Sequence, residues 1–328
     1  MKITAAPRGL MRALLAILAV TTIATTSWAW TDKPVKLIVP APAGGTMDVV
    51  ARILADQIAA DIGQTVIVEN KPGAGGAIGV QAMLATPADG QTIMVTASNI
   101  LTEIPHVMKT SFDPLKDVRP IATVARASMV LTGAPGLAAK DFAELGAYLK
   151  ANPGKLSFAS YSTGTASHYA GMILNQKLGV DLTHVPFPGS PPALMQLMGG
   201  NVTLMFDGIV TTLPFQKSGK LKVYAVASKA RSAQLPQVPT LTELGYPEFD
   251  FSNWLGVIAS AKTPDALADK INAAILKAAS NPKVQERFNQ AGFEPNTPLS
   301  PAQLTQSVRT EFERNAVIVK TFNIKLDQ

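Results

Sequence analysis

Apolar and polar positions along the chain fall into alternating blocks. Residues 35–39 form an apolar run of strand length closed by Pro40, and Pro42, Gly44 and Gly45 mark a tight loop behind it. Thr46 then stands where a helix cap would, ahead of Val49, Val50, Ile53, Leu54 and Ile58 at helical spacing. Asp48 falls in the first turn, where a carboxylate suits the helix dipole. The block repeats: a strand over 65–69, a glycine-rich loop over 70–76, a short helix to about 85, a turn at 87–90 and a third strand over 92–96. A further loop begins at Ala97, Ser98 and Asn99.

The middle of the chain follows the same pattern. A strand over 156–160 leads into a polar loop over 161–165, and from Ser167 a helix carries Tyr169, Met172 and Ile173 on one face. Another strand is predicted over 182–187, after which Gly189, Ser190, Pro191 and Pro192 suit a helix start. Strands over 201–206, ending at Asp207, and 221–227 follow. The last third is predicted mostly helical, over 264–279, 282–291 and 301–321. Such alternation predicts an α/β chain with two parallel sheets covered on both faces, arranged as two lobes around a cleft. The apolar stretch 121–131 is long enough for a strand that crosses between lobes.

The first thirty residues stand apart. Lys2, Arg8 and Arg12 precede an apolar run over 13–24, and Ser27-Trp28-Ala29 offers small residues at and before a cleavage position. The run is short for a span and rich in Thr, so it is expected to be a secretory signal peptide over 1–29. An uncleaved membrane anchor is the alternative. Its three basic residues account for half of the formal charge of +6, so the processed chain carries only +3. No basic cluster interleaved with aromatics follows, and nucleic acid is not an expected partner. The absence of cysteine in 328 residues excludes disulfides, thiolate metal sites and a cysteine nucleophile. The length suits two domains.

Candidate chemistry lies in the loops. Loops at the carboxyl ends of parallel strands line the ligand crevice, and helix starts offer unpaired N–H groups that favour anions. Glycines allow close approach, and Thr46, Ser98, Thr163, Thr165 and Ser167 add hydroxyls, so a carboxylate can be held without Lys or Arg. Each loop alone is also an ordinary turn and cap. Enzyme motifs are missing: no G-x-S-x-G elbow and no phosphate loop occur, and the loop at 73–79 has Ile78 where a dinucleotide fingerprint needs glycine. His106, His168 and His184 lack metal-ligand spacing, and no carboxylate pair stands out as acid and base. No cofactor and no metal are expected.

The motifs resemble those of the Bug-type receptors, the extracytoplasmic solute-binding proteins of tripartite tricarboxylate transporters. The matching segments are KPVKLIVP at 33–40 with PAGG at 42–45 and Asp48, then VENKPGAGG at 68–76 with Ile78 and Gly79, and PADG at 87–90. NPGKL at 152–156, GTASH at 164–168, HVPF at 184–187, GGNV at 199–202, FD at 206–207 and LPQVPT at 235–240 follow in order.

The resemblance implies a type II periplasmic-binding-protein fold, a two-lobed clamp closing on an organic carboxylate. Its expected boundaries are lobe 1 over 30–125, lobe 2 over 126–231, and a return to lobe 1 over 232–328. Carried over by position, the first-lobe ligand residues are Ala43, Gly44, Gly45, Thr46, Thr96, Ala97, Ser98 and Asn99. Those of the second lobe are Ser160, Tyr161, Thr163, Gly164, Thr165, Ser167, His168, Phe187 and Asp207. The 68–79 hallmark is expected to be mainly structural. Two membrane subunits of a cation-coupled transporter are the implied partners, and the receptor is expected to act as a monomer in the periplasm. Departures from the family bear on the ligand. Ala41 replaces an aromatic, Ala43 a proline, and Phe187-Pro188-Gly189 loses a lysine at Pro188. Together with Tyr161 and Met47 they suggest a roomier, more apolar cleft, suiting an aromatic mono- or dicarboxylate such as a phthalate isomer, with an aliphatic dicarboxylate as the other option. A secreted hydrolase or isomerase acting on a carboxylate is the alternative function.

Overall fold

The computed structural model describes residues 29–321 apart from 295 and 297. The expected signal peptide therefore lies outside the described residues, save for Ala29.

Among the described residues ten strands make two five-stranded sheets. The first contains β1 (Val35–Val39), β2 (Val66–Asn70), β3 (Thr92–Ala97), β4 (Val118–Ala127) and β10 (Asn253–Ser260), in the order β2-β1-β3-β10-β4. The second contains β5 (Met129–Gly133), β6 (Ser157–Ser160), β7 (Thr183–Pro186), β8 (Leu204–Gly208) and β9 (Lys222–Ala227), in the order β7-β6-β8-β5-β9. The sheets are mixed, which corrects the expectation of parallel ones. β1 runs parallel to β2 and β3, and β6 parallel to β7 and β8. β10 is antiparallel to β3 and β4, and β5 is antiparallel to β8 and β9.

The two sheets thus share one plan, and the antiparallel strand of each is supplied by chain arriving from the other. β4 leaves the first sheet, and Ser128 alone separates it from β5 in the second. The chain returns between β9 and β10. This plan explains why β10 escaped the sequence pattern. Seven of its eight residues are buried, so its apolar run shows no alternation to distinguish a strand from a buried helix.

The helices are α1 (Thr46–Ile62), α2 (Ala77–Leu84), α3 (Asn99–Thr102), α4 (Phe142–Ala151), α5 (Ala166–Leu178), α6 (Ser190–Met198), α7 (Ile209–Lys217), α8 (Asp265–Ala279), α9 (Pro282–Ala291) and α10 (Pro301–Thr321). In α1 the spacing of Val50, Ile53, Leu54, Ile58 and Ile62 turns one stripe into the first core, alongside Leu37, Val95 and Val257. Each such side chain removed from water contributes about 1.5–3 kcal/mol. The helix stops at Gly63, whose left-handed conformation closes its last turn. A second core gathers Phe158, Tyr169, Leu194, Phe206 and Phe249 around β6 and β8. Among the described residues no helix is long and apolar enough to cross a membrane.

Candidate ligand-binding site

A cavity of about 200 Å³ lies where the carboxyl ends of β1, β2, β3, β6 and β8 face one another. Its wall comes from both sheets and from the crossing between them. Pro42, Gly45, Thr46, Ala97 and Asn99 line it from the first lobe, and Tyr161, Thr165, Ser190, Asp207 and Gly208 from the second. Ala127, Ser128 and Met129 bring the crossing segment itself into the wall. Apolar groups dominate, and among the described lining residues there is no Lys, Arg or His.

The first-lobe loop is held from behind. Asp48 is buried, and its Oδ2 accepts from the Gly44 amide at 2.8 Å and from Arg52 Nε at 2.8 Å. Asn70 Nδ2 donates both to Asp48 Oδ1 and to the Ala41 carbonyl, each at 2.9 Å, tying the loop to the end of β2. Burial pushes the Asp48 carboxyl up, but Arg52, the Gly44 amide and Asn70 outweigh it and hold the group below its ordinary value. Gly44 and Ala43 therefore serve the loop from outside the wall, while Gly45, Thr46 and Met47 face the cavity. No side chain caps α1, so its first N–H groups are offered at the loop's inner edge.

The second lobe treats its polar residues differently. Ser167 Oγ donates to the Phe206 carbonyl at 2.5 Å, and Ser160 Oγ pairs with His184 Nε2 at 2.8 Å. The Gly164 amide donates to His168 Nδ1, and the His168 ring stacks on that of His184 with centroids 4.1 Å apart. Ser160, Thr163, Gly164, Ser167 and His168 are thus not brought to the cavity wall; nor are Thr96, Ser98 and Phe187. Ser98 Oγ donates to Asn253 Oδ1, and Phe187 packs against the second core. Of the expected residues, Gly45, Thr46, Ala97, Asn99, Tyr161, Thr165 and Asp207 meet at the cavity. Asp207 is buried there, and its Oδ2 accepts from Ser190, Thr211 and Thr212 at 2.8, 2.6 and 3.1 Å. Burial pushes its carboxyl up.

Of the parts of the wall that were not foreseen, among them Asn253 and Leu255 on β10, two stand out. The loop over 72–76, expected to be structural, lines the cavity from Pro72 to Gly76. Gly76 sits at φ +100°, and a Cβ there would lie 2.4 Å from Ile100 Cδ1, so the chain passes this point only as glycine. Ser128 is the other; its Oγ donates to Glu294 Oε1, and its carbonyl accepts the Ile209 amide. A single serine inside an apolar stretch carried no signal of this position.

The lobes also touch across the mouth. Gly189, at φ +122°, packs so close to Pro42 that a Cβ would come within 2.3 Å of its ring, and a Cβ on Gly208 would lie 2.8 Å from Thr46 Oγ1. A cavity walled by two lobes, one short crossing and glycine-lined approaches is the geometry of a clamp.

Comparison with known proteins gives this geometry a family. The profile described as "Tripartite tricarboxylate transporter family receptor" matches residues 50–324. The chain belongs to this receptor family. The relative BugT of Bordetella pertussis is 33% identical over 296 residues, covering 90% of each protein. A solved Rhodopseudomonas palustris structure with adipate has 28% identity and a TM-score of 0.86, covering 90% of this chain and 99% of that one. MatC from the same species, with bound malate, has 32% identity and a TM-score of 0.81, covering 88% and 99%. The tricarboxylate-transporter receptor fold is that of periplasmic binding proteins, as in the BugD structure. These neighbours are binding proteins, and this receptor is a solute-binding protein of the same kind.

Proposed function

We propose that this receptor captures an organic carboxylate in the periplasm, after removal of residues 1–29, and hands it to the two membrane subunits of its transporter. The observation that carries the reading is the cavity itself: an apolar chamber without a cationic side chain, with the uncapped start of α1 at one edge. Such a chamber holds a carboxylate by backbone N–H groups and hydroxyls, Thr46 among them, and packs the ligand's carbon skeleton against Ala41, Ile100, Met129 and Leu255. Pro188, where the family resemblance implies a lysine, is part of the wall, which favours a carbon-rich acid. An aromatic mono- or dicarboxylate such as a phthalate isomer is the preferred cargo. That related structures hold adipate and malate supports a carboxylate and keeps aliphatic dicarboxylates in the comparison.

A thermal-shift series with phthalate isomers, benzoate, adipate and malate tests this, with chromatography of each acid afterwards. Binding to the folded state alone stabilises by about 2.7 kcal/mol at a hundredfold excess over Kd. A phthalate raising the midpoint by several degrees and recovered unchanged is the expected result. A shift with malate but none with any aromatic acid overturns the aromatic preference, and consumption of the acid overturns the receptor reading.

A further inference from the structure

Glu103 is buried where the two lobes meet, away from the cavity wall. It follows α3 in the first lobe, yet its partners lie in α5 of the second. The Ala166 amide, first in α5, donates to its carboxyl, and Tyr169 Oη donates to its backbone carbonyl at 3.2 Å. α5 has no cap of its own, since Thr165 at its start makes no side-chain bond to the helix amides. Glu103 is therefore a helix cap supplied across the lobe boundary. Its second oxygen, Oε2, finds no protein partner.

The lobes in this structure are in contact at Pro42–Gly189 and Thr46–Gly208, so the cap is seen in the closed arrangement. Moving the lobes apart to admit a ligand would pull Glu103 off α5 and into water. We propose that Glu103 is a positioning residue for capture: it takes the first amide of α5 as the lobes close and takes up a proton in doing so, so that acid favours the closed form.

The surroundings fit this role. Facing Glu103 are the hydroxyls of Tyr161 and Tyr169, both pushed up by burial, and Glu311 and Arg314 on α10. Glu311 is itself pushed up by burial, and Arg314 is exposed. His106, on the turn after Glu103, is held below its ordinary value by burial and bonds the Phe312 carbonyl. No cation is buried beside the carboxyl, and burial pushes it up to about 8. In water a glutamate titrates near about 4.3. The sign follows: between these values the open form is ionised and the closed form protonated, so each unit of rising pH disfavours closure by up to about tenfold, levelling off above pH 8.

The test measures calorimetric affinity for phthalate, adipate and malate at pH 6, 7 and 8, in two buffers of different ionisation heat. Wild type should weaken about ten- to hundredfold from pH 6 to 8 and take up close to one proton per ligand at pH 7. Glu103→Gln keeps the acceptor for Ala166 and should bind with a flat profile near the acid-side affinity. Glu103→Ala loses the cap and should bind more weakly at every pH. A slope that persists unchanged in Glu103→Gln assigns the proton to another group and overturns the proposal. The affinity readout rests on the carboxylate reading, so small-angle scattering of the ligand-free protein provides an independent one. Wild type should expand between pH 6 and 8 while Glu103→Gln does not. If none of the three acids binds, the ligand reading fails and scattering alone decides the latch; equal radii for both proteins at both pH values overturn it.

Discussion

The two sides of the cavity are built from similar sequence and behave differently. In the first lobe, the loop over 40–45 is locked by Asp48, Arg52 and Asn70 from behind, which leaves its inner edge open to a ligand. In the second, the hydroxyls of Ser160 and Ser167 and the ring of His168 bond the lobe's own framework. A hydroxyl-rich loop at a strand end therefore has two uses. One side of this clamp spends its polar groups on presentation and the other on rigidity, with Tyr161, Thr165 and Asp207 the expected second-lobe residues that reach the cavity wall.

Substitutions can break this contrast or sharpen it. The largest effect is expected from Asp48→Ala, which strips three donors of a buried acceptor and should cost about 3 kcal/mol in urea unfolding. Because the Asp48 carboxyl is held below its ordinary value, its contribution is full above about pH 4 and is lost as pH falls through the native value. The gap between wild type and variant should close correspondingly in acid. Gly189→Ala comes next. It places a methyl into Pro42 and strains a positive φ, so affinity for the best ligand should fall about a hundredfold by calorimetry, about 2.7 kcal/mol, with circular dichroism unchanged. Ser167→Ala should cost about 1–2 kcal/mol of stability by removing its bond to the Phe206 carbonyl, yet change affinity less than about threefold. Thr46→Val should do the reverse, weakening binding about fivefold, about 1 kcal/mol, at unchanged stability. If Ser167→Ala weakens binding more than Thr46→Val does, the division of labour between the lobes is wrong.

Much of this was legible in the chain. The strand-loop-helix blocks around 35–62 and 156–178 are visible because apolar runs of strand length end in proline- or glycine-bearing loops that lead straight into helices. The glycine and proline loops at strand ends were legible as cavity candidates for the same reason. What the sequence hid is what only three dimensions decide. β10 is buried on both faces and so has no period. Ser167 and Thr46 look equivalent as residues after a glycine-containing loop, yet one bonds a carbonyl of its own lobe and the other lines the cavity. Glu103 sits in an ordinary stretch, and nothing local announces that its carboxyl ends in the opposite lobe. The departure at Pro188 was readable, and it does fall in the cavity wall.

Ser128 joins β4 to β5 and stands in the cavity wall. If the halves of the clamp turn about this crossing, the chain travels least at Ser128 and most at the Pro42–Gly189 rim. Turning about this crossing would open the rim far more than the cavity floor, so the clamp would act as a caliper, its final angle set by the length of what it holds.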